Sequence, residues 1–438
     1  MNIIGRFAKN LVGSVADAGE KFLDSRRLRG TSMQTLLKLC DDLISHKGVA
    51  SGIALAREVV VRYSALSDKE KLTFFKELQR RTGPNLPEIS KIAYEFAGNP
   101  TEDGLLELWK SIRPDRQKLF NRMNIAPNGT QAVVKMREDL LGFIPSYPEL
   151  QSIDSDLRIL LTAWFNPGFL ILKKIDWDTE ASVLEKIIQY EAVHYIANWT
   201  DLKQRLVADR RCFAYFHPAL EDEPLIFVEV ALPRGISSSI QAIISDNSDL
   251  NGNGDTAIFY SINNCQRGLL GIPLGNFLIK MVVKQIAVEL PSIKTFSTLS
   301  PVPGFADWLK EELHSGKSEF IPAKEKKILR MLDLGDWFAD KKKCNELKKP
   351  LMEACAKYLV LVKRKNKPLN AVARFHFGNG AQLYRINWMG NTSQQGIDES
   401  FGLMVNYLYD LKQIESNHEA YVKRGKLAVS KTIRSLMA

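Results

Sequence analysis

The sequence predicts an α+β protein in which an N-terminal helical bundle precedes a mixed β-sheet with helices. Apolar residues recur at spacings of three and four up to about residue 187, as at Met33, Leu36, Leu37 and Leu43. After residue 199, short β-branched runs alternate with helical segments. A chain of 438 residues is also too long for one ordinary core. We therefore expect a helical domain at 1–187 and a mixed-sheet domain at 188–438.

The composition is that of a globular protein, with 45% apolar and 25% charged residues. No apolar run predicts a membrane span, and the N-terminus does not resemble a secretory signal, so we expect a cytoplasmic protein, with the mitochondrial matrix as an alternative. The five scattered cysteines predict reduced, mostly buried thiols. Residues 1–200 hold 27 Lys and Arg against 25 Asp and Glu, so most of the net charge of +10 lies in the remainder. This excess of basic residues favours a polyanionic ligand. Aromatic residues are not interleaved with the basic ones, as they would be on a base-stacking surface, which argues against nucleic acid.

The second part is predicted to contain a strand–helix–strand unit. Residues 224–232 and 255–262 are strand-like, 274–289 form an amphipathic helix, and 295–300 form the next strand. The unit at 255–300 predicts two parallel strands. We expect a helical insertion at 305–366, a hairpin of 370–377 with 381–388 around Gly378-Asn379-Gly380, and a last helix from about 401.

Between the strand at 255–262 and its helix, glycines at 268, 271 and 275 predict an anion cradle. The spacing matches neither a dinucleotide fingerprint nor a P-loop. It resembles the pyrophosphate loop of acetyltransferase-type folds, which bind coenzyme A, with one extra residue between the glycines. The alternative is a tight strand-to-helix turn that binds no ligand.

Two residues are candidates for catalysis. Ser300 is expected at the C-terminal end of the strand after the cradle helix, where α/β sheets bind ligands, although a Ser-Pro dipeptide often only caps a turn. His376, which the predicted hairpin places on one face with Arg374, could act as an acid or base or could be structural. His217 has a plainer explanation in a loop, and no pair of histidines has the spacing of a metal site.

Several segments together resemble the malonyl-CoA decarboxylase family. They are Ala257-Ile-Phe-Tyr-Ser-Ile262, Gln266-Arg-Gly-Leu-Leu-Gly271, Phe296-Ser-Thr-Leu-Ser-Pro-Val-Pro-Gly-Phe305, Phe375-His-Phe-Gly-Asn-Gly380, Arg385-Ile-Asn-Trp-Met389 and Gly402-Leu-Met-Val-Asn-Tyr407. The resemblance covers about residues 190–425. It implies that 188–438 is an acetyltransferase-like (GNAT-type) catalytic domain, that 1–187 is a helical scaffold or oligomerisation domain, and that the protein is a homotetramer built as a dimer of dimers.

The resemblance also implies roles for individual residues. Ser300 and His376 would form the catalytic pair, with the serine accepting a proton and the histidine donating one, an order that the sequence itself leaves open. Apart from the resemblance, Tyr409 is a candidate to support the histidine, with core packing as the alternative. Pro273 stands where some members carry a glutamate, so a role for an acid there is in doubt. The segment expected to bind coenzyme A comprises Gln266, Arg267, Gly268, Leu270, Gly271, Ile272, Pro273, Leu274, Gly275 and Asn276.

The predicted reaction is decarboxylation of malonyl-CoA to acetyl-CoA and CO2. Because the thioester itself accepts the electron pair as an enolate, we expect no cofactor and no metal. The catalyst has only to bind the coenzyme, place a donor near the oxyanion and deliver a proton to carbon. The alternatives are acyl transfer from coenzyme A on the same fold, or a non-catalytic protein that binds coenzyme A.

Overall fold

A computed structural model describes residues 3–20, 32–46, 48–245, 254–315, 318–335 and 337–437, without the side chains of 3–10, 20, 276 and 277. They form two compact units. The first comprises 1–171, 216–225 and 264–274, and the second comprises 172–215, 226–263 and 275–438. Compactness does not establish which segments fold independently, so the domain boundary between 187 and 188 stays a prediction.

The first unit is built from helices whose apolar faces pack together. Phe74 and Phe75 are fully buried, and their rings meet Tyr63 edge-on at 5.2 and 6.0 Å between centroids. Local capping supports the helices, as where Ser67 and Glu70 form a capping box. The helices are α1 (Ile3–Glu20), α2 (Met33–Ser45), α3 (Val49–Ser64), α4 (Asp68–Thr82), α5 (Leu86–Gly98), α6 (Glu102–Ile112), α7 (Asp115–Met123), α8 (Gly129–Phe143) and α9 (Gln151–Trp164).

The second unit contains an eight-stranded mixed sheet, in the order β1-β2-β3-β4-β5-β10-β6 with β9 also paired to β10. The strands are β1 (Ile171–Ile175), β2 (Arg210–Phe216), β3 (Ile226–Ala231), β4 (Thr256–Asn264), β5 (Thr295–Thr298), β6 (Ser300–Pro301), β9 (Gln382–Asn387) and β10 (Met404–Leu408), and β7 (Lys363–Arg364) pairs with β8 (Lys367–Pro368) apart from the sheet. The helices are α10 (Ala181–Tyr190), α11 (Trp199–Gln204), α12 (Gln241–Ile244), α13 (Gly275–Glu289), α14 (Phe305–His314), α15 (Ala323–Leu329), α16 (Lys341–Val360), α17 (Ala371–Gly378), α18 (Gln394–Ser400), α19 (Ile414–Arg424) and α20 (Lys431–Met437).

The predicted strand–helix–strand unit is confirmed. Strands β4 and β5 are parallel neighbours joined through α13, with Ala257 opposite Phe296 and Phe259 opposite Thr298. Strand β3 likewise lies within the predicted run, and all six of its residues are buried. The helical region followed by a mixed sheet with helices confirms the predicted fold class.

The predicted hairpin at 370–388 is wrong in its first half. Residues 371–378 form α17, because Asn370 caps a helix by accepting a hydrogen bond from the Ala373 amide at 2.8 Å. The buried residues of this segment are Ala373, His376 and Phe377, which is helical spacing. Strand β9 pairs instead with β10. Arg374 and His376 therefore do not share the face of a strand.

Two other segments differ from expectation. The last helix does not begin at about 401, because Phe401 and Gly402 have positive φ and end α18, and the buried run at 404–408 becomes β10. Within the predicted helical region, 171–175 form the short strand β1, whose mostly exposed residues show no alternation strong enough to predict it. No helix within the described ranges is long and apolar enough to cross a bilayer.

Candidate active site

Strand β10 brings together residues that lie more than a hundred positions apart in the sequence. Its neighbour β5 ends at Thr298, and β6 places Ser300 opposite Val405. Tyr407 lies on β10 and Tyr409 directly follows it, with its amide bonded to the Phe296 carbonyl at 2.8 Å. Residues two apart on a strand face the same side, and both tyrosine rings meet His376.

Helix α17 supplies His376 to this side of the sheet. The side chain that caps the helix, Asn370, also donates a hydrogen bond to the Pro303 carbonyl at 2.8 Å. The helix start is thereby tied to the turn that follows Ser300. The position of His376 thus depends on a helix cap, which the hairpin prediction overlooked.

Four side chains form a continuous hydrogen-bonded chain. Ser300 Oγ lies 3.2 Å from His376 Nε2, and His376 Nδ1 lies 2.8 Å from the Tyr409 hydroxyl. At the other end, Ser300 Oγ donates to Thr298 Oγ1 at 2.9 Å. The structure thus places the three predicted catalytic residues in one chain, and it adds Thr298, which the sequence analysis missed.

The chain is buried, and burial determines its charge state. Only 6% of Ser300 and 2% of His376 are exposed. Burial lowers the pKa of His376 to about 3, so the imidazole is neutral at pH 7. Burial also raises the pKa of Tyr409, which keeps its hydroxyl protonated. The Tyr407 ring stacks on the imidazole at 4.4 Å between centroids and restricts its orientation.

The glycine-containing segment at 266–276 belongs to the first unit up to residue 274. Its contacts with α8 explain much of its conformation. Residues Arg267–Leu269 form a 3₁₀ turn. A Cβ on Gly268 would lie 2.0 Å from the Val134 carbonyl oxygen on α8, so the close approach that this glycine permits is to a helix. Buried Arg137 donates to the Gly268 and Leu270 carbonyls at 2.6 and 2.9 Å.

The rest of the segment divides into exposed and buried positions. Arg267, Leu270, Gly271 and Pro273 are exposed, whereas Ile272 and Leu274 are buried. The Gln266 side chain donates to Glu223 and to the Pro224 carbonyl. Gly275 begins α13, and the side chain of Asn276 lies outside the described residues. The role of the 266–276 segment in binding coenzyme A stays a prediction.

Arg158 lies beside the exposed part of this segment and was missed by the sequence analysis. A Cβ on Gly271, whose φ is +79°, would lie 4.0 Å from Nε and Nη2 of Arg158. Arg158 is an exposed residue of α9. With Arg267, it gives this surface two cationic side chains. No sequence pattern links position 158 to position 271, because they meet only through the packing of helices.

The remaining histidines do not join this chain. The His217 ring packs at a tilt against the Phe165 ring, with 4.8 Å between centroids, and its Nε2 is hydrogen-bonded to the Trp164 carbonyl. His194 is buried, and burial lowers its pKa to about 4. His314 and His418 bond helix or turn carbonyls. In the part of the chain that the structure describes, no three His, Cys, Asp or Glu side chains are grouped to hold a metal ion.

Comparison with known proteins identifies the family. The chain matches the malonyl-CoA decarboxylase C-terminal domain over residues 168–438 and the corresponding N-terminal domain over residues 83–165. It is 39% identical over 353 residues to the protein named malonyl-CoA decarboxylase, mitochondrial, of Anser anser anser, covering 75% of this chain and 70% of that protein. Its Mus musculus counterpart is 36% identical over 354 residues, covering 75% of this chain and 72% of the relative.

Solved structures agree with the sequence relatives. The crystal structure of malonyl-CoA decarboxylase from Rhodopseudomonas palustris has a TM-score of 0.89 at 45% identity, covering 92% of this chain and 99% of that one. The enzyme from Agrobacterium vitis has a TM-score of 0.87 at 43% identity, with the same coverage. The buried Ser300–His376–Tyr409 chain therefore lies in a protein that belongs to the malonyl-CoA decarboxylase family.

Proposed function

We propose that this protein is a carboxy-lyase that converts malonyl-CoA to acetyl-CoA and CO2. The observation that carries the proposal is the hydrogen-bonded chain of Ser300, His376 and Tyr409 in a member of this family. It offers a neutral imidazole between two hydroxyl groups, an arrangement suited to moving one proton. The malonyl thioester supplies the electron sink, so the proposal requires no cofactor and no metal.

The proposed reaction has two steps. The bond between the carboxylate and the α-carbon breaks, its electron pair moves into the thioester as an enolate, and CO2 leaves. The α-carbon then takes a proton from His376 Nε2, which yields acetyl-CoA. The Tyr409 hydroxyl gives its proton to Nδ1 as Nε2 loses its own. For the next turnover, one proton from water binds Nε2 and the proton on Nδ1 returns to Tyr409. Ser300 orients Nε2 and contacts the malonyl group.

We infer that the 266–276 segment binds the coenzyme. Its exposed residues carry one cation, Arg267, and a second cation, Arg158, lies beside Gly271. Positive side chains next to exposed backbone suit a phosphate group. Pro273 contributes neither a carboxylate nor an N–H donor, so no acid acts from that position here.

An assay with malonyl-CoA as the sole substrate tests the activity. We expect one CO2 and one acetyl-CoA for each malonyl-CoA consumed. Methylmalonyl-CoA, assayed in parallel as the comparison substrate, should show little turnover. A strict requirement for an acyl acceptor would instead indicate an acyltransferase.

Variants of the pair test the site separately. Ser300→Ala and His376→Asn should each lower kcat by about 100-fold or more, the usual contribution of acid–base catalysis. The exposed positions Ser315→Ala and His314→Asn serve as matched controls and should turn over normally. Normal turnover by the double variant S300A/H376N would show that the reaction occurs elsewhere.

We further infer a homotetramer arranged as a dimer of dimers and a cytoplasmic location, with the mitochondrial matrix as the alternative. The family membership supports the first inference, and two relatives are themselves named mitochondrial. Light scattering measures the assembly, and cell fractionation followed by immunoblotting measures the location. A monomer at micromolar concentration would contradict the tetramer.

A further inference from the structure

Thr298 makes three hydrogen bonds, and one of them determines where the Ser300 hydroxyl directs its hydrogen. Its side chain is wholly buried, and its Oγ1 accepts hydrogen bonds from Ser300 Oγ at 2.9 Å and from the Tyr407 amide at 3.2 Å. Its carbonyl accepts from the Asn406 side chain at 2.7 Å. Thr298 is therefore held at the end of β5 by groups from β10, and its oxygen is a fixed acceptor beside Ser300.

Counting protons along the chain then determines the tautomer of His376. A serine hydroxyl has one hydrogen, and Ser300 gives that hydrogen to Thr298. Toward His376, Ser300 can only accept, so Nε2 must carry a hydrogen. A neutral imidazole carries one hydrogen, which leaves Nδ1 bare to accept from the Tyr409 hydroxyl at 2.8 Å. Every hydrogen bond in the chain then runs from donor to acceptor in the same direction: Tyr409 donates to His376, His376 to Ser300, and Ser300 to Thr298.

We propose that Thr298 is a positioning residue that holds the Ser300 hydroxyl as a donor and thereby fixes His376 as the Nε2–H tautomer. Without the Thr298 oxygen, the Ser300 hydroxyl is free to donate to Nε2, and the ring hydrogen moves to Nδ1. His376 would then present a lone pair, rather than a proton, on its Ser300 side. The catalytic part of this inference rests on the proposed decarboxylase function, whereas the tautomer does not.

Thr298→Val is the direct test, because valine keeps the branched shape and loses the acceptor. The tautomer is measured by ¹⁵N NMR of histidine-labelled protein without substrate, where protonated and bare ring nitrogens have distinct chemical shifts. His376 is assigned among the six histidines by comparison with His376→Asn. We expect Nε2–H in the wild type and in Thr298→Ser, and Nδ1–H in Thr298→Val.

Kinetics supply the second readout. Thr298→Val should lower kcat by about tenfold, the scale of one lost hydrogen bond, with little change in KM, and Thr298→Ser should restore kcat. Nδ1–H in the wild type, or Nε2–H in a folded Thr298→Val protein, would overturn the inference. If the valine variant does not fold, Thr298→Ala, which also removes the acceptor, takes its place and should show Nδ1–H. A wild type that shows Nε2–H but does not turn over malonyl-CoA would refute only the proposed function.

Discussion

Tyr409 is the residue that connects His376 to the sheet. Its hydroxyl bonds Nδ1 at 2.8 Å, and its amide bonds the Phe296 carbonyl. Tyr409→Phe removes the proton donor and keeps the ring, so we expect kcat to fall about 10- to 100-fold at unchanged KM. Tyr94→Phe, at a position that is 83% exposed, is the matched control. A change in KM alone would show that Tyr409 contributes to binding and not to proton transfer.

Arg158 tests the coenzyme-binding proposal at a single residue. Because it is exposed beside Gly271, its guanidinium is available for a phosphate. We expect Arg158→Ala to raise KM for malonyl-CoA about tenfold, the loss of one charge-assisted hydrogen bond, and to leave kcat nearly unchanged. Arg80→Ala, which removes an exposed arginine from the same unit, should change neither constant. An unchanged KM in Arg158→Ala would remove Arg158 from the binding surface.

At the scale of elements, the contact of the 266–276 segment with α8 gives a prediction about stability. Gly268→Ala would force a methyl group to 2.0 Å from the Val134 carbonyl oxygen. We expect a loss of about 3 kcal/mol in the free energy of unfolding, as for an overpacked site. Gly271→Ala is the comparison, because it meets only Arg158 at 4.0 Å and should cost about 1 kcal/mol for its positive φ. Urea unfolding measures both variants, and equal losses would contradict the packing explanation.

Helices and strands with a clear composition or periodicity are predictable from this sequence. Elements whose type depends on a single helix cap or backbone turn are not. The β-branched run of β3 and the unit β4–α13–β5 follow from composition and periodicity. The segment at 371–378 contains two phenylalanines at alternate positions, which suggests a strand, but Asn370 begins a helix there. Likewise, positive φ at Phe401 and Gly402 ends α18 and allows β10 to start. One side-chain cap and one backbone turn thus outweigh short periodic patterns.

At the scale of the whole molecule, the candidate site depends on the order of strands, which the sequence does not reveal. The resemblance predicts that Ser300 and His376 meet, and their side-chain atoms lie 3.2 Å apart. It assigns no role to Thr298, although residues two apart on an extended chain share a face and Thr298 contacts Ser300. Thr298 and Ser300 are close in sequence, and the pairing of β10 with both β5 and β6 brings Tyr409, more than a hundred positions away, to the same place.

The buried histidines predict how the stability of the protein responds to acid. The pKa of His376 is about 3 in the folded protein against an ordinary value of 6.5, and burial is the cause. Between these values the unfolded chain binds a proton that the folded protein does not, so the free energy of unfolding falls as pH falls from about 6.5 toward 3. His194, lowered to about 4, adds in the same direction. Each pKa unit contributes up to about 1.4 kcal/mol.

His376→Asn isolates this contribution. The variant should show a shallower decline in urea midpoint between pH 6.5 and 4 than the wild type, whatever its stability at pH 7.5. His314→Asn, which removes an exposed histidine, should follow the wild-type slope. Parallel declines in the wild type and His376→Asn would mean that His376 binds a proton as readily in the folded protein as in the unfolded chain. A protonated His376 carries hydrogens on both ring nitrogens, so the one-directional chain from Tyr409 to Thr298 exists only at pH values at which His376 is neutral.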